Sequence, residues 1–371
     1  MGPQYVPLPQ FVSAMDTSPA QDELEITLFG PGYGESIALH IGDGAWVLVD
    51  SCIDQAGDPR ALRYLNELGI DPARAVRLIV ATHWHDDHIR GMAKMVNACS
   101  NAVFCCASVL CQREFLTIVG TWGSDRMPGA SSGVRELYEV FSRLDATAKK
   151  PRFALADSRI FRQGACEIWA LSPNSAAFLN FLQQVGGLLP EQGETRRRIP
   201  GLTPNKVAVV LWINIGDVAL LLGSDMEKPS WVDILHSTTR PTGKASVFKI
   251  PHHGSANADD PGVWQAMLET HPWAMLAPWH RGGRILPNRH DVQRILSCTP
   301  NAYSTVPRRQ LTASPPRREN MVNKTLQEAG VKLRSVSVSP GAVRLRRPSG
   351  NSAQWQVELF GSACALQNFA A

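Results

Sequence analysis

Residues 82–91 read Thr-His-Trp-His-Asp-Asp-His-Ile-Arg-Gly, and within them His83, His85, Asp87 and His88 follow the spacing H-x-H-x-D-H. Three of the ten histidines of the chain fall in this one short run. Imidazoles interleaved with carboxylates form a donor set for divalent cations, well suited to Zn²⁺ and less exclusively to Mn²⁺ or Fe²⁺. Just upstream, residues 75–81 are short, apolar and β-branched, with Asp71-Pro72 bounding them, which predicts a buried strand ending at the ligands. The ligands then lie on a strand-to-helix loop. Irregular backbone there lets His83 and His85 meet on one ion while Asp87 and His88 turn toward a second. Such a loop constrains the fold strongly, because distant segments must bring further donors to it.

Three segments offer them. Residues 25–50 read as two strands around Gly42-Asp43-Gly44, with Asp50 closing the second. Residues 207–225 read as a hairpin turning at Gly216-Asp217, with Asp225 where the second strand stops. The competing role for Ser224-Asp225 is to cap a helix beginning at Met226-Glu227-Lys228. Residues 246–255 form another β run that ends in His252-His253-Gly254.

Taken in order, these segments resemble the metallo-β-lactamase superfamily over roughly residues 24–360. Pro251-His252-His253-Gly254-Ser255, Gly34-Glu35-Ser36 and the stretch from Leu222 to Glu227 are similar to its ComEC-type branch, the domain of bacterial DNA-uptake proteins and their free-standing relatives. The resemblance implies an α/β (α+β) fold, a four-layered αββα sandwich with helical and loop insertions. It also implies two divalent metal ions, most simply Zn²⁺ with Mn²⁺ as the substitute, held by His83, His85, Asp87, His88, Asp225 and His252. Asp225 would bridge the ions, and Asp50 would hydrogen-bond the metal loop. His253 would face the substrate as a catalytic group, although one register step exchanges it with His252.

Two departures from the branch stand out. No histidine lies between His88 and His236, and Leu171-Ser172-Pro173 occupies the interval where many members place one. Ser172 would then support the loop, and the first ion would have only His83, His85 and Asp225, a weaker site. Residues 286–292 align with a His-Pro-His-Pro-rich element but keep only His290, with Arg289 beside it. His290 could donate a proton and Arg289 could hold a phosphate oxygen, or the pair could simply open a helix over 291–296.

The chemistry implied is hydrolysis by a metal-bound hydroxide that Asp87 orients, without a Ser or Cys nucleophile. Gly30-Pro31-Gly32-Tyr33-Gly34 precedes a strand and so fails the phosphate-loop pattern. A phosphodiesterase or nuclease acting on nucleic acid or a nucleotide is the leading expectation. Hydrolysis of a small ester, lactone, thioester or amide is the second, and a metal-stabilised non-catalytic subunit of a larger complex the third.

Composition bounds the remainder. With 371 residues, 44% hydrophobic and 19% charged, the chain reads as an ordinary globular protein. One domain over 24–362 is expected, with insertions at about 105–150 and 175–205, closing strands over 331–362, a loose arm over 1–23 and a tail over 363–371. The arm lacks a signal-like core, and the longest apolar stretch, 207–223, is interrupted by Asn214 and Asp217, so neither export nor a membrane span is expected. Eight cysteines without a C-x-x-C pair suit a reducing cytoplasm. Cys105, Cys106 and Cys111 read as buried thiols, with a separate zinc as the alternative. Arg196, Arg197 and Arg198, with Arg308-Arg309 and Arg317-Arg318, could neutralise a polyanion, but a net charge of +4 is modest and favours solvated arginines.

Overall fold

Strand side chains alternate between faces, and that alternation builds the layers of this molecule. The computed structural model describes residues 10–11, 15–32, 34–123, 132–187, 203–281, 283–312, 341–348 and 354–369, together with Met321, Thr325 and Glu328. In chain order the strands are β1 (Gln10–Phe11), β2 (Leu24–Gly32), β3 (Gly34–His40), β4 (Trp46–Val49), β5 (Val76–Ala81), β6 (Val103–Ala107), β7 (Arg152–Ala154), β8 (Ser158–Gln163), β9 (Cys166–Ala170), β10 (Leu211–Ile215), β11 (Val218–Leu222), β12 (Ala245–Lys249), β13 (Leu268–Leu276), β14 (Trp279–Arg281), β15 (Arg284–Leu286), β16 (Ala302–Ser304), β17 (Gly341–Arg347), β18 (Gln356–Phe360) and β19 (Cys364–Ala365). The first sheet runs β1-β18-β17-β2-β3-β4-β5-β6-β7, the second β19-β16-β13-β12-β11-β10-β9-β8, and β14 pairs with β15 alone.

Along β10, Leu211, Ile213 and Ile215 join a core that also holds Val47, Ile79 and Val343 of the first sheet. Trp212, between them in sequence, joins a second core with Trp231, Ile234, Val292 and Ile295. β11 divides the same way, Leu220 and Leu222 to the first core and Leu221 to the second. The two sheets therefore pack face to face, and the helices Lys228–His236 and Arg289–Cys298 cover the far side of the second. The helices Arg60–Glu67 and Met92–Ala98 bury Leu62, Leu65 and Met95 against the first. This is the mixed α/β sandwich, with two large sheets and flanking helices, that the sequence leads one to expect.

β4 and β5 are parallel, as are β11, β12 and β13. Their C-terminal ends therefore gather at one edge of the sandwich, where Asp50, Thr82, Asp225 and His253 follow in the loops. β5 forms as expected, with Asp71 capping the short helix Pro72–Ala75 before it. The 207–225 hairpin begins four residues late, because Pro204–Val207 makes a 3₁₀ turn.

Other boundaries differ more. The arm expected to be loose contributes Gln10 and Phe11, which pair in parallel with Glu358 and Leu359. The tail is likewise built in: β19 pairs with β16, and Leu366 and Phe369 are buried. Part of the 105–150 insertion is sheet, since the last three residues of β6 fall in it, followed by the helices Arg113–Gly123 and Ser132–Ala146. Met321, Thr325 and Glu328 are helical. Arg196, Arg197, Arg198, Arg317, Arg318 and the expected strand over 331–338 lie outside the described residues. Among the described residues, no helix is long and apolar enough to cross a membrane.

Candidate metal centre

The metal loop is held by one carboxylate. Asp50 stands at φ 57, a left-handed conformation that Asp tolerates better than most residues, just after β4 ends. Its Oδ1 accepts the Thr82 amide at 2.8 Å, and its Oδ2 accepts the Thr82 hydroxyl and His88 Nδ1–H, both at 2.8 Å. The Thr82 hydroxyl oxygen in turn lies 3.0 Å from His83 Nδ1. With both Nδ1 atoms engaged on the outer side, His83 and His88 turn Nε2 inward. β3 presses on the loop from the other side: at Gly34, φ +103, a Cβ would lie 1.9 Å from the Asp87 carbonyl oxygen, so only glycine fits. The helix Ser132–Ala146 supplies a third restraint. Its Gly133 amide donates to Asp86 at 2.9 Å, and its Glu136 carboxylate accepts the amides of Gly91 at 3.0 Å and Ala93 at 3.2 Å.

Donor atoms from three segments converge at this edge. Two donors on one tetrahedral zinc, each about 2.0–2.1 Å from it, stand about 3.3 Å apart. His83 Nε2 and His85 Nδ1 are 3.1 Å apart. His88 Nε2 is 3.3 Å from Asp225 Oδ1, and His253 Nε2 is 3.4 Å from Asp87 Oδ2 and 3.6 Å from Asp225 Oδ2. His83 Nε2 is 3.8 Å from Asp225 Oδ2, so the Asp225 carboxylate faces donors on both sides. His83, His88 and Asp225, and also Asp87, His88 and His253, form groups with donor atoms within 4.8 Å of one another. Among the described residues, His88 Nε2, His253 Nε2 and Asp225 Oδ1 are buried without a hydrogen-bond partner. Buried polar atoms of that kind cost free energy unless something satisfies them, and divalent cations would. Each orphaned imidazole also donates its other nitrogen outward, His88 to Asp50 and His253 to the Ala277 carbonyl at 2.9 Å, the pattern that fixes a ligating tautomer. The residues fit divalent ions.

Charge points the same way. Burial pushes His83 and His85 below the ordinary imidazole value, leaving them neutral donors. Burial also works against charge on His88 and His253, but the surrounding carboxylates, Asp225 foremost, outweigh it and hold both above the ordinary value. Burial likewise opposes ionisation of Asp87 and Asp225, yet His253 and His88 keep both below the usual carboxylate range. Beneath the ligands lies an ion pair that sequence reasoning missed. Lys249, fully buried at the end of β12, contacts Glu35 Oε1 and donates to the Ser224 carbonyl at 3.1 Å. Glu35 in turn lies 3.7 Å from the Nδ1 atoms of both His88 and His253. The available signal was a single lysine closing an otherwise apolar β run.

Several expected site residues stand elsewhere. His253, not His252, enters the donor cluster, while His252 Nδ1 is 3.8 Å from Glu227. Strand alternation does not choose between them because both have left-handed backbones, φ 46 and φ 55. Ser172 makes no hydrogen bond to the metal loop. It donates to the Ala208 carbonyl at 2.7 Å and accepts the Val210 amide at 2.8 Å, tying the end of β9 to the approach to β10. Asp225 caps no helix, since the N-cap of Lys228–His236 is Glu227. Arg289 and His290 are exposed in the first turn of the helix Arg289–Cys298, which Asn288 and Asp291 cap. The preceding Pro287 packs close to Gly254, beside His253. Cys105 and Cys106 are buried, and the sulfurs of Cys106 and Cys111 are 3.4 Å apart.

Residues 30–116 match the family model of the metallo-beta-lactamase superfamily. That stretch contains Asp50 and the whole H-x-H-x-D-H run, so the match supports the superfamily reading where the metal loop lies; superfamily members are metallohydrolases. Solved superfamily structures similar to this chain include a Cronobacter sakazakii (Enterobacter sakazakii) metallo-beta-lactamase with a HARLDQ motif, at 14% identity and TM-score 0.31, covering 55% of this chain and 61% of that one. The class B3 di-zinc metallo-beta-lactamase LRA-12 from an Alaskan soil metagenome is 12% identical, with TM-score 0.32, covering 64% of this chain and 76% of that one. The similarity thus spans less than two thirds of the Cronobacter protein. No curated protein matches the chain.

Proposed function

We propose that this chain is a metal-dependent phosphodiesterase acting on nucleic acid or a nucleotide, a free-standing ComEC-type member of the superfamily. One observation carries the reading: the inward-facing donors of His83, His85, Asp87, His88, Asp225 and His253 lie 3.1–3.8 Å from their neighbours, close to the spacing of shared metal ligands. His83, His85 and Asp225 would hold one ion, and Asp87, His88 and His253 the other, with Asp225 shared. Imidazole and carboxylate suit Zn²⁺, with Mn²⁺ tolerated. Bound there, the ions would supply Lewis acidity and lower the pKa of water toward neutrality.

The chain's own groups do the rest. Asp50 and the Ala277 carbonyl fix the His88 and His253 tautomers, so both rings offer a lone pair at the centre. Asp87 accepts a hydrogen bond from the attacking water and so aims it. Arg289, exposed and without an ion-pair partner among the described residues, offers a fork that matches a phosphate better than a carbonyl substrate. His290, exposed beside it, would protonate a leaving oxygen. All eight cysteines are free, in keeping with a reducing cytoplasm.

Metal analysis, paired with assays on single-stranded DNA, duplex DNA, RNA and bis-p-nitrophenyl phosphate, tests the proposal. Wild type should hold about two ions per chain and cleave at least one phosphodiester, and Asp87→Ala should remove the cleavage while the protein stays folded. Consumption of lactones or thioesters alone would assign the site to carbonyl chemistry. Bound metal with every substrate intact would end the hydrolase reading.

A further inference from the structure

The hairpin of β14 and β15 stands over the metal centre: the Trp279 ring stacks on His253 with centroids 6.4 Å apart and planes inclined by 20°. Its register pairs Trp279 with Leu286, His280 with Ile285 and Arg281 with Arg284. Directly paired residues of an antiparallel ribbon share a face, and so do residues two apart on one strand. Trp279, Arg281 and Arg284 therefore share the face that meets His253. Both arginines are exposed, and neither has a carboxylate partner among the described residues. Like charges directly opposite destabilise a ribbon. Only two residues join the strands, Gly283 standing at φ +82, and the register holds Arg281 and Arg284 opposite each other at the tip of the ribbon. Among the described residues nothing compensates this repulsion; an anion between the two arginines would.

We infer that Arg281 and Arg284 bind a phosphate flanking the one at the metals, which makes single-stranded nucleic acid the substrate class; the inference rests on the phosphodiester reading above. At a rise of about 3.4 Å per residue, Arg281 lies about 7 Å along the ribbon from Trp279. The pair thus reaches beyond a scissile group at the centre to its neighbour on the same strand. Half-buried Trp279 gives an aromatic surface between the two positions, and an aromatic platform beside a cationic track is the usual way to hold unpaired strands. A small diester would end before it reached the arginines.

The test compares wild type with the double variant Arg281→Gln/Arg284→Gln, both Zn²⁺-loaded. Binding of a fluorescent, phosphorothioate-linked single-stranded oligonucleotide is followed by anisotropy at several salt concentrations, and turnover of bis-p-nitrophenyl phosphate is measured alongside. The double variant should bind about tenfold more weakly, and the slope of log K against log salt should become shallower by about 0.7, the loss of one phosphate contact. Its turnover of the small diester should stay unchanged. Equal affinity and slope in the two proteins would overturn the inference, as would an equal loss on the small diester. If wild type cleaves no phosphodiester yet the variant still loses oligonucleotide binding, the hairpin site stands and the catalytic reading falls.

Discussion

Replacing Lys249 by Met isolates what the buried ion pair does. Lys249 and Glu35 are both almost wholly buried, and Glu35 lies near His88 and His253 in a region that also holds Asp50 and Asp225. Removing the ammonium leaves the Glu35 carboxylate beside Asp50 and Asp225 with only the His88 and His253 imidazoles, each 3.7 Å away, to balance it. At an effective dielectric constant of about 20, unit charges about 4 Å apart interact by about 4 kcal/mol. Breaking a buried pair from one side costs about 3–5 kcal/mol, the same range. For a chain of this length, a loss of about 4 kcal/mol lowers the unfolding midpoint by about 5 °C. The double variant Glu35→Gln/Lys249→Met leaves no stranded charge, so it should recover most of that loss. Urea unfolding of both variants, metal-free and Zn²⁺-loaded, measures the cycle. The single-variant penalty should shrink when zinc is present, because cations beside Asp225 then balance Glu35. If Lys249→Met costs less than about 1 kcal/mol, or the double variant is no better than the single, the pair is not what holds the floor of the site.

His253→Ala should lower bound metal to about one ion per chain, whereas His252→Ala should leave the content unchanged; plasma emission analysis of dialysed protein decides, and the reverse pattern would restore His252 as ligand. Asp50→Asn keeps the shape but weakens acceptance from His88 and Thr82, and should weaken zinc about 10–100-fold in competition with a chelator. His88 is held well above the ordinary imidazole value and His253 above it, so the metal-free protein carries more protons there than free imidazoles would, and ligation must displace them. Zinc binding should therefore release protons at pH 7 and tighten as the pH rises through those raised values; calorimetry in buffers of different ionisation enthalpy reads this, and zero net release would refute it.

The metal loop was legible because four donor residues within six positions after a β-branched run have few other uses. Asp225 could be read only from its place in an ordered series, since Ser-Asp before a helix is also a capping signal, and the structure resolves that ambiguity by putting Glu227 at the cap. The choice between His252 and His253 was beyond periodicity, which assumes alternating extended residues, whereas both sit at positive φ. Glu35 and Lys249 escaped for a related reason. Each is a charged residue on a strand, and nothing local reveals that segments more than two hundred residues apart will meet. The pairing of Gln10–Phe11 and of Cys364–Ala365 could not be read ahead, because strands of two residues carry no period to detect.

The helix Ser132–Ala146 lies beyond residue 116, where the family match stops, yet its Gly133 and Glu136 grip Asp86 within the ligand run and Gly91 and Ala93 just after it. A fragment cut to the matched stretch would keep most of the donors and lose their brace. For this architecture the smallest working unit is set by what steadies the loop from outside, so attempts to miniaturise or transplant the centre must carry that distant helix along.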